Sequence, residues 1–161
     1  MDRFERLASA LRRIPGLEVR ENEPMKRHTT FRIGGPARLM VLPRSRKETA
    51  AAVRAATEVG IAPFFLGNGS NLLVADHGYE GFVLKACGLD QVREVNRRLR
   101  AESGITLARL ANAALGRGLT GLEFAHGIPG TLGGAVVMNA GAYGGEMGQV
   151  LTAVTYLDGA G

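Results

Sequence analysis

Residues 127–145 read GIPGTLGGAVVMNAGAYGG, the most glycine-rich stretch of the chain. It is nearly bare of side-chain volume, so a large flat ligand can lie directly against its backbone. Ordering so many small, flexible residues costs conformational entropy, so a connecting loop without a binding role is the weaker interpretation. Thr131 and Asn139 are the polar side chains available for isolated contacts. The stretch therefore predicts a binding surface.

A second glycine-rich segment lies upstream and reads Gly67-Asn68-Gly69-Ser70-Asn71. It follows an apolar run that predicts a parallel strand, and ligands commonly bind beyond the carboxyl ends of such strands. Small residues there let successive N–H groups turn toward a diphosphate, whereas a plain turn between strands explains the same letters equally well. The segment lacks the third glycine and the following helix of the dinucleotide fingerprint, and no Gly-Lys-Ser/Thr occurs in the chain. A P-loop nucleotide hydrolase is therefore not indicated.

Hydrophobic spacing predicts the elements around these loops. An amphipathic helix is expected over the first fifteen residues, ending at Pro15-Gly16, and a second helix is expected from Ser45 to Gly60 behind a capping box of Ser45 and Glu48. Thr106 is expected to cap a third helix, whose predicted inner face is Leu107, Leu110, Ala111, Ala114 and Leu115. Strands are predicted at residues 39–42, 61–66, 72–74, 82–84 and 150–157, the last running into an Asp158-Gly159 turn, with antiparallel strands possible within 88–103.

Composition narrows the class of protein. The chain has 161 residues, 45% hydrophobic and 22% charged, which is typical of a globular domain. Its net charge of +5 raises nucleic acid as a partner, but the densest basic cluster, Arg97, Arg98 and Arg100, has no interleaved aromatic residue for stacking. Cys87 stands alone, which fits a reducing compartment, and the three histidines lack the spacing of a metal site. We expect a cytoplasmic protein with no metal, no nucleic-acid partner and no membrane segment.

Three segments in order carry a family resemblance: residues 26–37 (KRHTTFRIGGPA), residues 66–74 (LGNGSNLLV) and residues 121–145, which begin GLEFAHGIPG. Together they resemble the signatures of the UDP-N-acetylenolpyruvoylglucosamine reductase (UDP-N-acetylmuramate dehydrogenase) family. The resemblance covers residues 26–161, and the third segment is far more specific than the second.

The resemblance implies an α+β, two-lobed FAD-binding fold of the vanillyl-alcohol-oxidase type. The first lobe is expected to have parallel strands and the second mainly antiparallel ones, with the family's C-terminal substrate domain missing. The corresponding segments are an N-terminal helix and lead-in at 1–24, a first FAD-binding lobe at 25–90 and a second, incomplete lobe at 91–161.

The resemblance also implies FAD as cofactor, held without a covalent bond because residues 67–71 contain no histidine. NADPH is the implied reductant, and the implied reaction converts UDP-N-acetylglucosamine enolpyruvate to UDP-N-acetylmuramate, a peptidoglycan precursor. The family's catalytic arginine, glutamate and serine lie beyond residue 161, so no catalytic residue is assigned and weak or no turnover is expected from this chain. The alternative is a flavin-binding module, or truncated paralogue, without reductase activity.

The residues implied to contact FAD fall in the two glycine-rich segments. Tyr143 matches a tyrosine that contacts the substrate diphosphate in some members, and an aromatic lid over the turn explains it equally well. The implied cofactor residues are Leu66, Gly67, Asn68, Gly69, Ser70, Asn71, Leu72, Ile128, Pro129, Gly130, Thr131, Gly133, Gly134, Val137, Asn139, Gly141 and Ala142.

Overall fold

The computed structural model describes residues 2–158, which form two compact units. The N-terminal unit comprises residues 2–88 with 156–158, and the C-terminal unit comprises Leu89–Thr155. The domain bounds drawn from the sequence stay a prediction, because compactness alone does not test independent folding.

The N-terminal unit is built on a four-stranded mixed sheet. Its strands are β1 (Glu18–Pro24), β2 (Pro36–Leu42), β3 (Pro63–Leu66) and β4 (Tyr79–Lys85), in the order β1-β2-β4-β3. Because β2 and β3 each pair in parallel with β4, their predicted parallel direction is confirmed, with β4 lying between them. Strand β1 was not predicted; it is a charged strand at the sheet edge that pairs antiparallel with β2. An edge strand needs no apolar alternation, so its letters carry little signal.

Apolar side chains cover both faces of this sheet. Helices α1 (Arg3–Arg12) and α2 (Arg46–Glu58) pack on one face, where Leu39 and Leu84 are buried with them. Met40 and Val83 belong to a second buried cluster, together with Leu66. Alternate residues of β2 and β4 thus enter different clusters, as the pleat requires, and both predicted helices are confirmed.

Ser45 caps α2 as predicted. Its Oγ accepts a hydrogen bond from Glu48 N (3.2 Å), and the Glu48 carboxylate accepts one from Arg44 N (2.8 Å). The Ser45 hydroxyl thus satisfies the Glu48 N–H, which has no partner inside the helix, whereas the Glu48 carboxylate reaches back to Arg44 N and not to the Ser45 N–H that the predicted capping box requires.

Replacing Ser45 with alanine is expected to lower the free energy of unfolding by about 1 kcal/mol, since a capping hydrogen bond is lost. Urea titration followed by circular dichroism measures the change. Lys47→Ala, an exposed substitution on the same turn, is the control and should stay within about 0.5 kcal/mol of the wild type. Equal losses in the two variants would contradict a capping role for Ser45.

The predicted strand at residues 72–74 is wrong. The segment follows the alternation of a strand, because Leu72 and Val74 pack on the second buried cluster while Leu73 is 71% exposed. It has no place in the sheet, and just beyond it Ala75 O accepts a hydrogen bond from the loop residue Gly35 (2.9 Å). Alternation reports which side of a segment is buried and does not report a ladder partner.

The C-terminal unit combines short helices with antiparallel hairpins. Its strands β5 (Val92–Val95) and β6 (Arg98–Ala101) pair antiparallel, as anticipated for residues 88–103. The remaining elements of this unit are α3 (Leu107–Leu115), a 3₁₀ turn at Glu123–Ala125, α4 (Leu132–Met138), β7 (Gly141–Ala142), β8 (Gly145–Glu146) and α5 (Met147–Val150). The N-terminal unit has 3₁₀ turns at Met25–Arg27 and at Ala86–Gly88.

Helix α3 confirms the predicted cap but corrects its predicted inner face. Thr106 Oγ1 accepts a hydrogen bond from Arg109 N (3.3 Å), and Leu107, Leu110, Ala111 and Ala114 are buried. Leu115 is 76% exposed, so its assignment to the inner face is wrong. At 3.6 residues per turn Leu115 points about 90° away from the centre of that face.

Two further differences fall in the glycine-rich half of the chain. Helix α4 was not predicted, since its run contains Gly133 and Gly134, which disfavour helix. The strand predicted at residues 150–157 is wrong, because Val150 ends α5 and residues 151–158 join none of the sheets that the described part of the chain forms. The predicted Asp158-Gly159 turn includes Gly159, which lies outside the described residues.

Candidate functional site

The upstream glycine loop, residues 67–71, begins where β3 ends at the carboxyl edge of the parallel strands. Gly69 is its most constrained residue, with a φ of +65° and a carbonyl that accepts a hydrogen bond from Thr30 N (3.1 Å). A Cβ at Gly69 would lie 2.1 Å from His28 O and 2.9 Å from Thr29 Cα. The loop therefore rests backbone to backbone on residues 28–30, and only glycine fits at this contact.

Residues 28–36 form a compact turn of their own beneath this loop. Thr29, which is buried, donates from Oγ1 to Ile33 O (3.1 Å). A Cβ at Gly35 would lie 2.1 Å from Asp76 O, so the turn also packs tightly on the chain ahead of β4. This segment belongs to the family resemblance but was not predicted to be part of the site, although its adjacent glycines at 34 and 35 are a visible signal of close backbone approach.

A buried ionic cluster anchors the start of that turn. His28 Nε2 lies 2.8 Å from Glu23 Oε1, and Lys85 Nζ lies 2.9 Å from His28 Nδ1. Arg20 Nη1 donates to the same Glu23 oxygen (2.9 Å). His28 and Glu23 are each 7% exposed. A buried carboxylate is stable only when it is paired, and Glu23 is paired with both His28 and Arg20.

The cluster shifts the titration of its members. Burial lowers the pKa of His28, the charge of Lys85 lowers it further, and the hydrogen bond with Glu23 offsets only part, leaving it below the ordinary 6.5. Burial raises the pKa of Glu23, but the hydrogen bonds from His28 and Arg20 outweigh burial and leave it below 4.5. At neutral pH the histidine is therefore neutral beside a carboxylate.

The downstream glycine-rich stretch is held in place by residues 103–107 of its own unit. Thr106 and Thr131 form an isolated antiparallel bridge just before α4. Further backbone hydrogen bonds run from Leu107 N to Gly130 O (3.1 Å), from Leu132 N to Ile105 O (2.8 Å) and from Gly133 N to Ser103 O (2.7 Å). The start of α4 is thus rigidly placed although its residues are small.

The predicted ligand residues on α4 differ in exposure. Gly134 is exposed and Val137 is 84% exposed, so one face of the helix is open. Thr131 is 3% exposed, and a Cβ at Gly133 would lie 2.8 Å from Ser103 Cβ, so these two positions face the interior of the unit. A ligand can reach this open face, and Pro129, Asn139 and Gly141 in the same stretch are exposed as well.

Asn139 and Tyr143 both adopt positive φ. Asn139 ends α4 at φ +45°, and its Oδ1 accepts a hydrogen bond from Gly148 N (2.8 Å), which ties α4 to α5. Tyr143 (φ +52°) and Gly144 (φ +81°) form the two-residue turn between β7 and β8, where positive φ is required. Tyr143 is 95% exposed, so its interpretation as a lid over the turn has no support from packing.

Cys87 and the histidines show no sign of metal or thiolate chemistry. Burial raises the pKa of the Cys87 thiol, although the charge of Lys85 opposes this. Within residues 2–158 no three His, Cys, Asp or Glu side chains gather as a metal site would require, and no helix has the length and apolarity of a membrane span.

The comparison with protein families decides the class of the chain. The family described as FAD binding domain matches residues 37–161, which include both glycine-rich segments. The chain belongs to the FAD-binding domain family. This match confirms the prediction that the chain is an FAD-binding domain. The assignment of individual contact residues stays a prediction.

Curated proteins similar to the chain include two UDP-N-acetylenolpyruvoylglucosamine reductases. The one from Caldanaerobacter subterraneus subsp. tengcongensis is 52% identical over 137 residues, which is 85% of this chain and 45% of the relative. The one from Clostridium novyi is 47% identical over 144 residues, covering 89% of this chain and 47% of the relative. The chain thus spans about half the length of the curated relatives it matches.

Solved structures agree with the fold. The Thermus caldophilus UDP-N-acetylenolpyruvylglucosamine reductase superimposes with a TM-score of 0.65 at 37% identity, covering 81% of this chain and 45% of that one. Aclacinomycin oxidoreductase matches with a TM-score of 0.58 at 20% identity, over 78% of this chain and 27% of that one, which supports the fold alone. The predicted α+β FAD-binding fold is confirmed, as is the resemblance to the reductase family.

Proposed function

We propose that this chain is the FAD-binding part of an NADPH-dependent reductase that converts UDP-N-acetylglucosamine enolpyruvate to UDP-N-acetylmuramate for peptidoglycan synthesis. The observation that carries the proposal is a pair of rigid, side-chain-poor backbone surfaces, one in each unit. At Gly69 and Gly133 the closest atoms leave no space for a Cβ, so both surfaces are held in place by their own units. The relatives' shared activity supports the choice of reaction.

The residues present fit FAD as a ligand. The loop at 67–71 offers backbone N–H groups and small side chains at the carboxyl edge of the parallel strands, where an anionic diphosphate is well placed. The exposed face of α4, with Gly134 and Val137, offers an open surface against which a flat ring system can lie. In the proposed assignment Gly67 to Asn71 hold the diphosphate, with Leu66 and Leu72 flanking them, and Ile128 to Ala142 border the isoalloxazine.

Bound FAD would supply two-electron transfer between NADPH and the enolpyruvyl group. The chain's own contribution is to bind and orient the cofactor, and none of its residues is assigned a proton-transfer role. Tyr143, projecting from a tight turn, is proposed to meet the substrate's diphosphate with its exposed hydroxyl. The two-residue turn, which requires its positive φ, leaves this side chain 95% exposed.

Titrating the purified chain with FAD tests the first step. The expected result is saturable quenching of flavin fluorescence and a shifted visible spectrum, because the isoalloxazine moves from water to a protein surface. Acid precipitation should then leave the flavin in the supernatant, since the attachment is non-covalent. A chain that leaves the flavin spectrum unchanged at any FAD concentration would contradict the proposal.

Anaerobic addition of NADPH separates a reductase from a flavin-binding module. Bleaching of the flavin, followed by recovery when the enolpyruvyl UDP-sugar is added, marks the reductase reaction. We expect weak or no turnover from these 161 residues alone, because the family's catalytic residues are not assigned within them. Rapid turnover would show that the chain carries its own catalytic groups. The proposal also implies a cytoplasmic location, where NADPH and nucleotide sugars are available.

A further inference from the structure

The buried cluster of Glu23, His28 and Lys85 defines one tautomer of the histidine. A lysine ammonium only donates hydrogen bonds, so His28 Nδ1, 2.9 Å from Lys85 Nζ, must be the acceptor. The ring proton therefore lies on Nε2 and is donated to Glu23 Oε1 at 2.8 Å. The neutral ring bridges a cation on β4 and a carboxylate on β1, and both of its nitrogens are satisfied.

This bridge fixes the backbone on which the glycine loop rests. The carbonyl oxygen of His28 is the atom closest to the position that a Cβ of residue 69 would occupy. Two residues on, the Thr30 N–H donates a hydrogen bond to Gly69 O at 3.1 Å. Lys85 is also the register partner of Leu66, the last residue of β3 before the loop. The histidine ring is thus tied to the strand beside the loop, and its backbone touches the loop itself.

We propose that His28 is a positioning residue for the diphosphate of FAD: bridged between Glu23 and Lys85, it sets the position of Gly69 and so the direction of the loop's N–H groups. The inference rests on the proposed function, in which residues 67–71 hold that diphosphate. His28 acts through the loop and makes no contact with the cofactor in this role. Its neutral state at working pH agrees with the lowered pKa that burial gives it.

His28→Leu and His28→Gln separate this role from simple core packing. Leucine fills a similar volume without hydrogen bonds, whereas a glutamine amide both accepts from Lys85 and donates to Glu23. We expect His28→Leu to raise the Kd for FAD roughly tenfold, since two hydrogen bonds to charged groups are lost, and His28→Gln to stay within about threefold of the wild type. His77→Ala, an exposed histidine in the same unit, is the matched control and should bind FAD as the wild type does.

Amide chemical shifts of the cofactor-free chain supply the second readout. The N–H resonances of Gly67 and Gly69 should move in His28→Leu and return close to wild-type positions in His28→Gln, because the loop follows the bridge. Should His28→Leu fail to fold, Lys85→Met takes its place: it removes only the donor to Nδ1 and is expected to shift the same two resonances.

A folded His28→Leu that binds FAD within twofold of the wild type overturns the inference, as do unmoved Gly67 and Gly69 resonances. These results leave FAD binding by the wild type intact and so remove the positioning role alone. A wild-type chain that binds no FAD removes the proposed function and, with it, this inference.

Discussion

Gly69→Ala is expected to raise the Kd for FAD by roughly 100-fold or more, since a clash costing about 3 kcal/mol corresponds to that factor. The added methyl would lie 2.1 Å from His28 O, which is a backbone atom and has no rotamer through which to move aside. Relief therefore requires the loop at 67–71 to separate from residues 28–30, and the hydrogen bond from Thr30 N would be lost. FAD fluorescence titration measures the change in Kd, and urea unfolding measures the loss of stability that the broken contact causes.

Gly60→Ala is the matched control for this substitution. Gly60 lies in the same unit at a nearly identical φ of +66°, but no atom lies within 4 Å of its added Cβ. Both variants carry the left-handed strain of about 1–2 kcal/mol, so only the clash differs between them. FAD binding by Gly60→Ala should match the wild type, and equal FAD affinities for Gly69→Ala and Gly60→Ala would show that the close contact does not determine the loop.

Alanine substitutions at the adjacent glycines of α4, Gly133 and Gly134, are expected to have opposite effects on stability. Gly133→Ala is expected to destabilise the chain by about 1–3 kcal/mol, because the new methyl meets Ser103 Cβ at 2.8 Å and Ser103 O at 3.1 Å. Gly134→Ala meets only Thr131 Oγ1 at 3.6 Å, an ordinary contact, and alanine favours a helix over glycine by up to about 1 kcal/mol. The second variant should therefore be as stable as the wild type or more stable.

Gly134→Ala also tests where the flavin lies. If the ring system rests on the exposed face of α4, the new methyl should weaken FAD binding roughly tenfold even though it stabilises the helix. Opposite effects on stability and on affinity are difficult to explain by general unfolding. Unchanged FAD affinity in a stable Gly134→Ala chain would place the cofactor elsewhere and remove Gly134 and its neighbours from the proposed site.

Helices α2 and α3 were predictable from the sequence because their signals are local, whereas α4, which carries the proposed flavin surface, was not. Ser45 and Thr106 cap helices as their side chains predict, and short continuous apolar runs correctly mark β2 and β4. The same reasoning failed where the decisive partner is remote. Residues 72–74 are a short apolar run like that of a strand, and yet they join none of the sheets within residues 2–158. Leu115 has an apolar side chain but points away from the buried face of α3.

The class of the protein could be read from the sequence, since three ordered segments carry the family resemblance and the FAD binding domain family matches residues 37–161. The sequence also determined the local elements whose caps and periodicity lie within a few residues. Only the tertiary structure decided that His28 bridges Glu23 and Lys85 and that its backbone supports Gly69. Contacts of this kind join residues far apart in the chain, and their geometry comes from the packing of the sheet, which no short pattern of residues encodes.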